Sequence, residues 1–157
     1  MLDALEVERA VIVGNSQGGQ IAVDTAIEFP KRVAGVVNIG ANIGGYEPDI
    51  TPEETALFEE MDRGIWEPAR IEGQPMPLEP RAAERGSELA DPGLAIAAML
   101  HGSEVWMTAQ YLAANAPDAR AVLLPNVAHM IAMETPEEIA RLVAGFVAAL
   151  PMPLVGR

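Results

Sequence analysis

Short unbroken apolar runs alternate along this chain with stretches whose apolar residues fall at helical spacing. Ala10, Val11, Ile12 and Val13 form the first run, and a run of this kind reads as a strand buried on both faces. After it, Ile21, Ala22, Ala26 and Ile27 recur at helical spacing within a stretch from Gly19 to Phe29, and Pro30 stops that helix before a second strand over 33–39. Together these make a β-α-β unit. Residues 94–98 read as a third strand, about 103–116 as a helix, 121–124 as a fourth strand, and about 136–150 as a last helix. At the start, residues 2–7 read as the final turns of an amphipathic helix with Leu2 and Leu5 inward. Strands alternating with helices over short connections predict the α/β class, a parallel sheet covered on both faces, in a single domain over 1–157.

The pattern breaks between Gly44 and Pro92. Short helical pieces there are separated by Pro48, Pro52, Pro68, Pro75, Pro77 and Pro80, and acidic residues outnumber arginines. A solvated loop is one reading. The other, favoured because long loops in compact domains tend to be functional, is a reduced cap over about 46–91 that roofs a substrate pocket, with Phe58, Met61, Ile65 and Trp66 as its apolar underside.

Composition narrows the partners. The chain has 157 residues, half of them apolar, which is enough for one core. A formal charge of −13 with one lysine disfavours nucleic acid and anionic membranes as partners. The absence of cysteine removes disulfides and thiolate metal sites, and two histidines with scattered carboxylates suggest no metal or organic cofactor. No stretch is long and apolar enough for a bilayer span, and the first residues lack the pattern of a signal peptide, so a cytoplasmic protein is expected.

The candidate chemistry starts at Gly14-Asn15-Ser16-Gln17-Gly18, which lies between the first strand and the first helix. A strand that turns sharply into a helix strains its middle residue, and small neighbours, here Gly14 and Gly18 with Gly19 beyond, let the segments approach. Ser16 then presents its hydroxyl at the sheet edge while the Gln17 N–H points toward developing negative charge. A glycine-rich turn carrying a solvated serine is the plainer alternative. His129 follows the fourth strand, ahead of a helix start with Thr135 as N-cap and Pro136 at the first position. On that loop it can serve as general base to Ser16, which requires an approach of roughly 3 Å.

With these segments in place, V-I-V-G-N-S-Q-G-G from Val11, F-P-K-R-V from Phe29, and L-P-N-V-A-H-M from Leu124 followed by E-T-P-E-E, the chain resembles the α/β-hydrolase family. The resemblance implies a partial α/β-hydrolase fold and a serine hydrolase of small acyl substrates: carboxylic esters, lactones or vinylogous diketones. It also locates two departures. The family's triad acid follows the strand before the penultimate helix, where this chain has His101, so Glu104 is the best substitute or else a solvated glutamate at a helix start. Family members also carry several strands before the elbow strand, one of whose loops donates a second oxyanion N–H. Their absence here suggests an N-terminally truncated reading frame and an exposed edge at residues 10–13, a site for homodimer formation. The rival to catalysis is a remnant that acts as a binding or self-associating module.

Overall fold

The four apolar runs become the four strands of one parallel sheet in the computed structural model, which describes residues 1–61, 82–89, 92–98 and 103–151. Strands β1 (Ala10–Asn15), β2 (Val33–Ile39), β3 (Gly93–Ala98) and β4 (Ala119–Leu124) lie side by side in chain order. Helix α1 (Gln17–Glu28) joins β1 to β2, and α3 (Ser103–Asn115) joins β3 to β4. Helix α2 (Pro52–Met61) follows β2, while a short α4 (Ile131–Glu134) and α5 (Pro136–Ala149) close the described chain. Asn15 pairs with Ile39, Ile39 with Ile96, and Ala98 with Leu124, so the carboxyl ends of the strands form one edge.

Two apolar layers hold the sheet. On one face, Ala22, Val23, Ala26 and Ile27 of α1 and Val105, Ala109 and Leu112 of α3 pack against Val36, Ala95 and Ala97. On the other, Leu142 and Phe146 of α5, with Leu150, pack against Val37, Ile39, Leu94 and Ile96. Strand β2 is buried along its whole length, which explains why its apolar run needs no polar alternation. Strand β1 pairs only with β2 among the described residues, and Val13 is 48% exposed.

Element positions match the expected pattern, with small extensions where ladder pairing captures residues that are not strongly apolar. Gly14 and Asn15 join β1 by pairing with Asn38 and Ile39, and Ala119 and Arg120 join β4 by pairing with Gly93 and Leu94. The amino-terminal expectation fails. Asp3–Leu5 is a single 3-10 turn, and Leu5 points outward at 64% exposure. Polar bonds hold this segment instead: Arg32 donates to the carbonyls of Val7 and Glu8 and pairs with Asp3 at 2.7 Å.

The excursion after β2 starts and ends on the core. Ala83 donates its N–H to Gly44 O at 2.8 Å, and the Tyr46 ring stacks on Tyr111 at 4.4 Å. The Tyr111 hydroxyl donates to Ala83 O at 3.0 Å. Arg85 bridges Glu28 of α1 and Glu88, and these two carboxylates raise its pKa further. With Ala82, Ala83 and Leu89 buried, the returning segment is part of the core. Helix α2 begins at a capping box in which Thr51 and Glu54 exchange hydrogen bonds of 2.9 and 3.2 Å. Phe58 and Met61 lie on α2; their side chains, with Ile65 and Trp66, fall outside the described residues.

Candidate active site

Ser16 occupies the turn from β1 into α1 with φ 53° and ψ −127°, a conformation that L residues rarely adopt. Such backbone strain costs on the order of 1–3 kcal/mol and persists only where its surroundings hold it. Here the Ser16 N–H donates to Ile39 O at 2.8 Å, and the Asn15 side-chain amide donates to the same carbonyl at 3.3 Å. A Cβ on Gly14 would fall 1.9 Å from Gly18 O, and one on Gly19 would fall 2.7 Å from the Ala41 Cβ. Close approach is therefore required at Gly14 and Gly19. Gly18, expected to share that task, has open space where its side chain would be.

Among the helices of eight or more residues, α2, α3 and α5 carry glutamate in the first turn, and α1 carries no acid there. The positive end of the α1 dipole is thus left for a charge outside the helix. Gln17 is the first residue of α1, so its N–H makes no bond within that helix.

His129 stands on the loop that leaves β4, with its Nδ1 buried. Strands β1 and β4 lie on opposite edges of the described sheet, so this loop must travel to meet the elbow. It does: Ile131, two residues after His129, is fully buried, and a Cβ on Gly40 would lie 3.1 Å from Ile131 Cδ1 and 3.9 Å from Asn15 Nδ2. The segment that follows His129 therefore packs beyond the end of β2. Asn126 takes the left-handed conformation at φ 59° where the loop starts. Glu134 closes it by accepting the Ala128 N–H at 3.0 Å. Thr135 occupies the N-cap position of α5, but its hydroxyl donates back to Ile131 O, so it ties α4 rather than capping α5.

Glu104 opens α3 and is only 4% exposed. Its Oε2 is buried without a hydrogen-bond partner among the described residues. Burial pushes its pKa up, a bond from its own backbone N–H opposes this, and the nearby Glu54 carboxylate of α2 adds to the rise. One turn further along α3, Thr108 bonds to Asn42 at 3.1 Å and to Glu104 O at 2.8 Å. His101 lies outside the described residues.

Two residues that tie this site together were not singled out from sequence. Asn15 was visible only as the variable position before Ser16, and Glu134 only as part of a helix start; a side chain bonding to a distant backbone group leaves no periodic signal. Among the described residues, charge is distributed unevenly along the strand direction. Arg9 and Arg32 bond to backbone at the amino ends of β1 and β2, Lys31 precedes β2, Arg120 begins β4, and Arg85 reaches the carboxyl end of α1. Arg141, within α5, pairs with Glu138. The carboxyl edge instead carries Glu104, Glu134, Glu137 and Glu138. Among the described residues no group of three or more His, Cys, Asp or Glu could hold a metal ion, and no helix is long and apolar enough to cross a membrane.

Residues 1–69 match the family model for the alpha/beta hydrolase fold. A 2-hydroxy-6-oxononadienedioate/2-hydroxy-6-oxononatrienedioate hydrolase of Paraburkholderia phymatum is 49% identical over 45 residues, covering 29% of this chain and 16% of that protein. A 2-hydroxymuconate semialdehyde hydrolase of Pseudomonas sp. is 54% identical over 41 residues, or 26% of this chain and 14% of that protein. The matches thus span about a sixth of the length of these curated relatives. Among solved structures, the N-acyl homoserine lactone degrading enzyme Est816 superposes with a TM-score of 0.69 at 27% identity, covering 92% of this chain and 70% of its own. The meta-cleavage product hydrolase CumD of Pseudomonas fluorescens gives 0.67 at 23% identity, covering 94% and 67%.

Proposed function

Because residues 1–69 match the family model for the alpha/beta hydrolase fold and the chain has that fold, we propose that it is a serine hydrolase of small carbonyl substrates in which Ser16 and His129 act as a pair. The observation that carries this reading is the strained φ of Ser16 at a glycine-packed strand-to-helix turn, since strain at a non-glycine residue is maintained where the side chain must be presented. Ser16 Oγ attacks the carbonyl carbon as its proton passes to His129. With Nδ1 buried, Nε2 is the nitrogen that takes it. The carbonyl oxygen becomes an oxyanion facing the Gln17 N–H and the α1 dipole. Return of the proton to the leaving group gives an acyl-enzyme, and water activated by His129 releases the acid. Glu104 serves as orienting acid in this scheme only if its carboxylate turns toward His129.

Carbonyl chemistry of this kind fits both an ester or lactone and the dienoate-type compounds named for the curated relatives. The carboxylates at the site's edge favour the uncharged esters and lactones, because like charges disfavour a carboxylate-bearing substrate. Hydrolysis of 4-nitrophenyl hexanoate against its mono-adipate analogue, by wild type, Ser16→Ala and His129→Ala, tests both points. The expected result is turnover of hexanoate, abolished in Ser16→Ala, with the adipate slower by about tenfold at low salt. Turnover that survives in Ser16→Ala would overturn the mechanism.

A second reading rests on the exposed Val13 and on β1 pairing only with β2 among the described residues: a module that self-associates through this edge as a homodimer. A mass that rises with concentration, in a protein without Ser16 reactivity, would favour it.

A further inference from the structure

We infer that Glu134 is the positioning residue for the general base, holding His129 through the backbone of its loop instead of through its imidazole. The inference rests on the Ser16–His129 reading above and adds a part to it.

His129 lies between two anchors. On the chain's carboxyl side, Ile131 is fully buried and its side chain meets Gly40 beyond the end of β2. On the amino side, Ala128 has its N–H bound by Glu134 Oε2 at 3.0 Å, across six residues. Glu134 is itself fixed, since its own N–H donates to Met130 O at 3.0 Å and the following Thr135 is bonded to Ile131 O through both backbone and side chain. The carboxylate thus closes a ring of backbone around His129. A backbone N–H bound to a carboxylate is a charge-assisted bond, stronger than one to a neutral acceptor. Without it, Ala128 loses its backbone tether, and the stretch between the buried Val127 and Ile131 is held at its two ends by packing alone.

This matters because Glu104, the carboxylate the sequence offers as orienting acid, is buried beside a second carboxylate. Glu104 Oε2 meets no donor among the described residues, and its charged neighbour is Glu54. A base that needs an approach of roughly 3 Å to a serine hydroxyl loses rate steeply when its mean position drifts. Glu134 limits that drift. Its effect belongs to kcat and leaves binding alone.

Glu134→Ala and Glu134→Gln, compared in hydrolysis of 4-nitrophenyl hexanoate across pH, test this. The glutamine carbonyl can still accept the Ala128 N–H, so Glu134→Gln should keep kcat within about threefold of wild type, while Glu134→Ala should lower kcat by about 10- to 100-fold with KM unchanged. The pH at half-maximal kcat should stay the same in all three, and amide exchange at Ala128 should accelerate in Glu134→Ala alone. Equal kcat in Glu134→Ala and wild type overturns the proposal. So does a shifted pH profile in Glu134→Gln, which would mean that Glu134 acts on His129 by charge. An unfolded Glu134→Ala is recognised by circular dichroism, and the glutamine variant then decides through its kcat and its Ala128 exchange. Absence of turnover in wild type is a different failure, that of the Ser16–His129 reading itself.

Discussion

Ser16 and Glu104 both stand where a helix begins beyond the carboxyl end of a strand, and both are held in unfavourable states, but of different kinds. At Ser16 the unfavourable term is conformational. A positive φ is maintained by two donors on Ile39 O and by glycines packed against neighbouring backbone and Ala41. At Glu104 the term is electrostatic: a buried carboxylate oxygen has no donor, and a second carboxylate stands nearby. The first state lies at the turn from β1 into α1, at the carboxyl edge of the sheet. The second keeps one carboxylate oxygen away from water without a donor among the described residues, so the difference separates a strained turn from a buried carboxylate.

The strongest test of that contrast is Gly14→Ala. Its Cβ would sit 1.9 Å from Gly18 O, and backbone cannot yield as a flexible side chain can, so a destabilisation of about 3 kcal/mol is expected in denaturant unfolding. A change below about 0.5 kcal/mol, the scale of a neutral surface substitution, would show that the turn is not closely packed. Ser16→Gly should relieve the strain at φ 53° and make the protein more stable than Ser16→Ala by about 1 kcal/mol. Equal stability of the two variants would remove the strain argument.

Glu104→Gln addresses the other half. Burial raises the pKa of Glu104 in the folded protein, so the folded state binds this proton more tightly than the unfolded chain does. Its stabilising contribution is present below the unfolded value and is lost as pH rises through the folded one. Glutamine has no such loss. Glu104→Gln is therefore expected to exceed wild type by on the order of 1 kcal/mol at neutral pH, with the gap closing as pH falls through the folded pKa toward the ordinary glutamate range. A gap that widens in acid would contradict this sign. If the substitution instead lowered activity by about 10⁴, the scale of a lost triad acid, Glu104 would be the orienting group. The smallest effect is expected at the edge strand: Val13→Lys should leave unfolding stability within about 0.5 kcal/mol while removing any concentration-dependent mass in sedimentation.

Much of the sheet was legible because parallel strands buried on both faces leave continuous apolar runs, as residues 33–39 do in β2. The elbow was legible because its glycines are a steric necessity, although the tight contact fell on Gly19 where Gly18 was expected to share it. Less legible were features set by long-range bonding. The amino-terminal segment with its outward Leu5 is held by Arg32, bonded to carbonyls 24 and 25 residues before it, and α4 is too short to impose a period. Glu104 could be named from its distance past β3, but its burial and its neighbour Glu54 depend on where α2 folds back, which no local pattern encodes.

The central claim is that Ser16 and His129 form a working nucleophile, and intact-mass detection of a fluorophosphonate adduct tests it without knowledge of the natural substrate. The account predicts one adduct per chain on the folded protein, absent in Ser16→Ala and slowed by about 10²- to 10⁴-fold in His129→Ala. A folded protein that takes up no adduct, or one labelled equally with Ser16 replaced, would contradict it.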